Sequence, residues 1–229
     1  MRRRIVTIGI IVAAIAVLGT GLFLGGMAYV NNVEQPAYDV VRSNGAIEVR
    51  DYPALIVAEV TRSGERQEAV SAGFRPLANY IFAKERGGES ISMTAPVTQA
   101  RDEPIPMTAP VTQQRRVDGN GETPREGGGT WTVRFVMPSK YKLQDLPRPA
   151  GGDVRLIEID ARRVVAIQFS GVANDQLLAE KEATLRSWMA RQKLDARGPA
   201  TYAYYNAPFT PGFLRRNEVM IEVAAADRS

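Results

Sequence analysis

Arg216, Asn217 and Glu218 stand in a row near the C-terminus: a cation, an amide and a carboxylate that together would suit proton transfer or anion binding. In a strand, neighbours point to opposite faces, so only Arg216 and Glu218 share one. That spacing favours a structural ion pair pinning the C-terminal strand. Glu59 is the one carboxylate interrupting the apolar run 55–60, and projection outward accounts for it. Asp51 and Glu158 hold equivalent places in two similar stretches, a relation that makes no catalytic dyad. Cysteine and histidine are both absent. Disulfides, zinc knuckles, covalent c-type haem attachment and the usual general base near neutral pH are therefore excluded. No nucleophile elbow, phosphate-cradling glycine loop or metal-binding carboxylate cluster is present. The pattern is that of a binding protein, not an enzyme.

The elements that must carry these residues repeat. Ser43-Asn44-Gly45 is a hairpin signal, because Asn and Gly tolerate positive φ. It is followed by alternating residues over 47–52 and an apolar strand over 55–60. Val70, Phe74, Leu77 and Ile81 then recur at helical spacing, with Pro76 set to kink that helix or to start its second half. Strands at 154–159 and 164–169 and a helix carrying Leu177, Leu178, Leu185, Trp188 and Met189 repeat the plan at a spacing of roughly 107 residues. Two similar β-β-α-β halves about a pseudo-twofold axis are expected. Residues 93–99 recur word for word as 107–113, each reading Met-Thr-Ala-Pro-Val-Thr-Gln. Pro96 and Pro110 cannot donate to a central ladder, so both copies belong at edges or strand ends. They are expected to face each other as a long hairpin, with one paired copy and one looped out as the alternative. The stretch 115–130, rich in glycine and charge, reads as a surface loop.

The N-terminus is of another kind. Arg2, Arg3 and Arg4 precede a run, 5–30, with no charged residue. A bilayer core needs about 20 apolar residues in a helix, and this run is longer. The arginines should stay cytoplasmic and send the rest of the chain across the membrane. A cleaved signal peptide, with small residues at Gly26-Met27-Ala28, is the alternative, though such apolar regions are typically about 7–15 residues. The domain plan is an anchor over 1–30, a tether over 31–37, a folded domain over 38–224 and a tail over 225–229. The formal charge is +4 for the whole chain. The first three arginines supply most of it, so the domain is near neutral and no nucleic-acid surface is expected.

The sequence resembles the SOUL haem-binding family. The resemblance is carried by Glu48-Val49-Arg50-Asp51-Tyr52-Pro53, by 73–82 (Gly-Phe-Arg-Pro-Leu-Ala-Asn-Tyr-Ile-Phe) and by the Met-Thr-Ala-Pro-Val segments. Phe135-Val136-Met137-Pro138, Leu146-Pro147, Gln168-Phe169-Ser170-Gly171, Tyr205-Asn206-Ala207-Pro208 and Arg215-Arg216-Asn217-Glu218-Val219 follow in family order. It implies an α+β fold, a distorted antiparallel β-barrel flanked by two helices, here with an N-terminal transmembrane helix added.

The resemblance further implies non-catalytic binding of haem or a related tetrapyrrole on the apolar face of the first helix. The matching residues are Phe74, Leu77, Ala78 and Ile81, with Arg75 and Lys84 as cations for the propionates; Ser71 and Asn79 occupy the turns where some relatives carry cations. A histidine axial ligand cannot exist here. Replacement iron ligands would be Tyr80, Tyr202, Tyr204, Tyr205, Met93 or Met107. Haem is therefore expected to bind weakly, non-covalently and through apolar contact. Another apolar ligand or a protein partner are the alternatives. A small-molecule hydrolase is a further one, which a buried Glu beside aromatics in the cleft between the halves would support. The expected location is the plasma (inner) membrane, single-pass, with the domain periplasmic.

Overall fold

The computed structural model describes residues 34–82, 109–115, 129–206 and 209–224. The anchor, Lys84, the first Met-Thr-Ala-Pro-Val copy and most of the 115–130 loop lie outside these residues. The elements run β1 (Asp39–Asn44), β2 (Ile47–Tyr52), β3 (Leu55–Gly64), α1 (Arg66–Ile81), β4 (Val111–Arg115), β5 (Gly129–Val136), β6 (Arg155–Ile159), β7 (Arg162–Phe169), α2 (Asp175–Arg191), β8 (Thr201–Tyr204) and β9 (Asn217–Val223). Gly45, at φ 60°, makes the turn between β1 and β2. Asn174 caps α2 by accepting from the Leu177 amide at 2.9 Å. Helix α1 runs through Pro76 without interruption.

The nine strands of the described residues form one antiparallel sheet in the order β1-β2-β7-β9-β8-β4-β5-β3-β6. Exchanging β2 with β6, β3 with β7, β4 with β8 and β5 with β9 reverses the order from β2 to β6 and leaves its pairings intact. The first strand of each half therefore pairs with the second strand of the other. Among the described residues the strand order is open, with β1 and β6 at its two ends, so these strands do not by themselves close the expected barrel. The expected hairpin between the copies falls largely on residues outside those described. Both edges of β4 are taken, by β5 and β8, which leaves 111–113 no edge for the first copy. Pro110 sits just before β4, where its missing amide costs no ladder bond.

Register places both helices on one face. Val165 lies opposite Ile221, Val219 opposite Tyr202, Tyr202 opposite Gln113, and Val133 opposite both Gln113 and Val60. On this face α2 covers Ile47, Val49, Val165, Ile167, Val219 and Ile221 through Leu178, Leu185, Trp188 and Met189. Helix α1 covers Ala58, Val60, Val133 and Phe135 through Leu77, Tyr80 and Ile81. Gly73 allows the close approach: a Cβ there would lie 2.8 Å from Val133 Cγ2. The opposite face carries no helix among the described residues. Residues 34–38 cross part of it, and the Ala109 amide donates to the Glu34 carbonyl at 2.8 Å.

Candidate functional site

Helix α1 splits the expected ligand-binding residues between its two sides. Leu77 and Ile81 are 0% and 1% exposed and belong to the core beneath the helix. Phe74 is 38% exposed and rests edge-on against Phe135, the ring centroids 5.1 Å apart. Arg75 is exposed and Ala78 half-buried. Phe82, the C-terminal cap residue, is exposed too. Positions 74, 78 and 82 are each four apart and share one side of a helix. The outward apolar stripe is thus Phe74-Ala78-Phe82, with Arg75 beside it.

Reading large apolar residues alone missed Phe82, because the buried line of α1 runs through Ala69, Gly73, Leu77 and Tyr80. Two of those four are small. The spacing of Phe82 from Ala78 was the signal available. Leu77 and Ile81 face inward because the helix is rotated to bring Gly73 onto Val133.

The tyrosines proposed as iron ligands are committed elsewhere. Tyr80 donates to the Pro147 carbonyl at 2.8 Å, and Tyr202 to Glu182 at 2.8 Å. Tyr204 accepts from Arg66 at 3.1 Å and from the Gln113 amide. Burial pushes the Tyr204 hydroxyl up to about 12 and raises Tyr202 and Tyr205 as well, the latter two further through their Glu182 and Glu218 partners. Met93 and Met107 lie outside the described residues. Tyr80 is buried beneath α1, and Tyr202, Tyr204 and Tyr205 lie on or beside β8, so none of these four is on the outward stripe.

The open face carries a buried ionic network. Glu218 is 0% exposed and Arg50 1%. Arg50 donates to both Glu218 oxygens, at 2.8 and 3.1 Å. Arg216 adds bonds of 2.7 and 3.1 Å, and the Tyr205 hydroxyl donates at 2.7 Å. The Arg50 guanidinium lies 4.4 Å over the Tyr38 ring. Burial alone would raise the Glu218 carboxyl, but the bonds and charges of Arg50 and Arg216 outweigh it and hold it below its ordinary value. Glu218 is thus more than the strand-pinning partner of Arg216. It joins β9 to β2 through Arg50.

Glu59 also differs from expectation. It is buried on the same open face, accepting from Arg134 at 3.0 Å and Arg155 at 2.9 Å. Outward projection failed because the outer face of β3 is lined by cations, not water. Asp51 pairs with Arg163 through two bonds of 2.7 Å.

Glu218 meets the description of a buried carboxylate beside aromatics that a hydrolase would use. Its oxygens already accept five hydrogen bonds, from Arg50, Arg216 and Tyr205. A general base needs a lone pair directed at its substrate. Glu218 has none to offer.

These features define an α+β domain of two similar halves, its two described helices on one face of a single antiparallel sheet. The chain belongs to the SOUL heme-binding protein family, whose profile matches residues 33–222. Heme-binding protein 2 of Mus musculus is 28% identical over 195 residues, covering 82% of this chain and 85% of the relative. The protein of the same name from Homo sapiens is 28% identical over 197 residues, with the same coverage. Among solved structures, the EcmrR C-terminal domain superposes with a TM-score of 0.53 at 12% identity, covering 82% of this chain and 99% of that one. A hydrolase from Listeria innocua gives 0.51 at 14% identity, covering 80% and 94%. Likeness at such identities speaks to the fold alone.

Proposed function

We propose that this chain binds haem or a related tetrapyrrole without catalysing a reaction, on the outward stripe of α1. The domain would work on the non-cytoplasmic side of the plasma (inner) membrane, held by a helix formed from residues 5–30. Family membership and the names of its relatives support the ligand class. The observation that supports the place is the exposed Phe74-Ala78-Phe82 stripe, a small residue between two aromatic ones, with Arg75 alongside for a propionate. A flat macrocycle laid on Ala78 would bury both phenyl rings, at about 25 cal/mol per Å² of apolar area.

Affinity of this origin does not depend on iron. Hemin and iron-free protoporphyrin are expected to bind the purified protein with dissociation constants within about tenfold of each other, a difference of about 1.4 kcal/mol. The checks are the Soret band and quenching of tryptophan fluorescence. Strong preference for hemin would require an axial ligand and displace this reading. Inert porphyrins beside an active lipid or pigment would move the function to another apolar ligand. For the anchor, release of the chain from membranes by alkaline wash would remove it.

A further inference from the structure

The open face holds a cavity of about 260 Å³ between the two halves, lined by residues that include Tyr52, Arg134, Arg162, Val164, Met220 and Glu222. Most arginines of this face have a carboxylate: Arg50 and Arg216 share Glu218, and Arg134 and Arg155 share Glu59. Arg162 is different. Its Nη1 is buried and has no hydrogen-bond partner among the described residues. Its guanidinium lies 5.8 Å over the Tyr52 ring. Burial lowers the Arg162 pKa, with Arg134 adding to the effect, while Glu222 and Tyr52 oppose it. Glu222 attracts Arg162 from the exposed end of the cavity without an ion pair.

The charged residues lining the cavity are Arg134, Arg162 and Glu222; Arg134 is satisfied by Glu59, whereas Glu222 makes no ion pair with Arg162, so the donor left without an acceptor among the described residues is Arg162 Nη1. A buried charged donor without an acceptor is costly, and native proteins seldom keep one without a use. The carboxylate of a small acid would satisfy Nη1.

We propose that this cavity binds a small apolar monocarboxylate, its anionic head on Arg162 and its body against Tyr52, Val164 and Met220. The size supports the class: drug-sized sites run from roughly 300 to 1,000 Å³, so this cavity suits an aryl or medium-chain alkyl acid and not a tetrapyrrole. It also lies on the opposite face of the sheet from α1, which makes it independent of the tetrapyrrole reading.

The test uses the full chain in detergent. Thermal shift and calorimetry are run with naphthoate and decanoate, and with the matching alcohols naphthalenemethanol and decanol. The acids should bind about 10- to 100-fold more tightly than the alcohols, the scale of a hydrogen bond to a charged partner. Arg162→Met should abolish that preference, Arg162→Lys should keep part of it, and hemin binding should be unchanged in both. Without ligand, Arg162→Met should melt no lower than the parent, since it removes an unsatisfied charge. Equal binding of acid and alcohol, acid binding that survives Arg162→Met, or no acid binding at millimolar concentration would overturn the proposal. So would an Arg162→Met chain that is unstable or fails to fold, because the guanidinium would then be partnered within the protein.

Discussion

Replacing Glu218 with glutamine is expected to destabilise the fold by about 3–5 kcal/mol, the loss seen when one partner of a buried ion pair is removed. The variant takes the two-bond carboxylate from Arg50, 1% exposed, leaving it only the Glu48 carboxylate at 2.7 Å, and strips Arg216 and Tyr205 of theirs. Replacing both Arg50 and Glu218 with apolar residues of similar volume should cost less than the two single losses together, because the charges then left unpaired, Arg216 and Glu48, are partly exposed. Denaturant unfolding of the two single variants and the double one measures this. A Glu218→Gln loss below about 1 kcal/mol would show that the pair behaves like a surface bridge.

The same residue predicts acid sensitivity. Its folded-state pKa lies below the ordinary 4.5, so in that range the folded protein binds fewer protons than the unfolded chain. The stabilisation is complete above the unfolded value and is lost as pH falls through the folded one. Stability should therefore decline below about pH 4.5, and Glu218→Gln should lack this part of the decline. An identical acid limb in the variant would assign it to other carboxylates.

Leu77 and Phe74, three positions apart on α1, should separate stability from binding. Leu77→Ala empties a fully buried site between helix and sheet and is expected to cost about 2–5 kcal/mol. Its effect on porphyrin affinity at temperatures where it remains folded should be small. Phe74→Ala removes a ring that is 38% exposed and meets the core edge-on at Phe135. It should cost less stability and weaken porphyrin binding by roughly tenfold, the worth of one aromatic contact of about 1.4 kcal/mol. Chemical unfolding and fluorescence titration of both variants check the pair. If Leu77→Ala weakens binding and Phe74→Ala does not, the ligand lies elsewhere on the domain.

The halves were legible because local pattern writes them twice. Alternation over 47–52 and 164–169 and helical spacing in each following segment depend only on near neighbours in the chain. The pairing of the halves was not legible. Nothing within Ile47–Tyr52 says that its partner is Arg162–Phe169, since backbone hydrogen bonds carry no sequence label. Likewise nothing in 111–115 says that β4 lies between β5 and β8.

The site divides the same way. Sequence alone determined what chemistry is absent, since a chain without histidine or cysteine has no imidazole or thiolate in any fold. It also determined which helix is amphipathic and which residues it contributes. Tertiary structure decided which of them face outward, because Gly73 rotates α1 onto Val133 and turns Leu77 and Ile81 inward while leaving Phe74 and Phe82 exposed. It alone decided that Arg50 meets Glu218 across 168 positions and that Arg162 meets no acceptor among the described residues. Charge acts through space at a few ångströms, and only the folded sheet sets those distances.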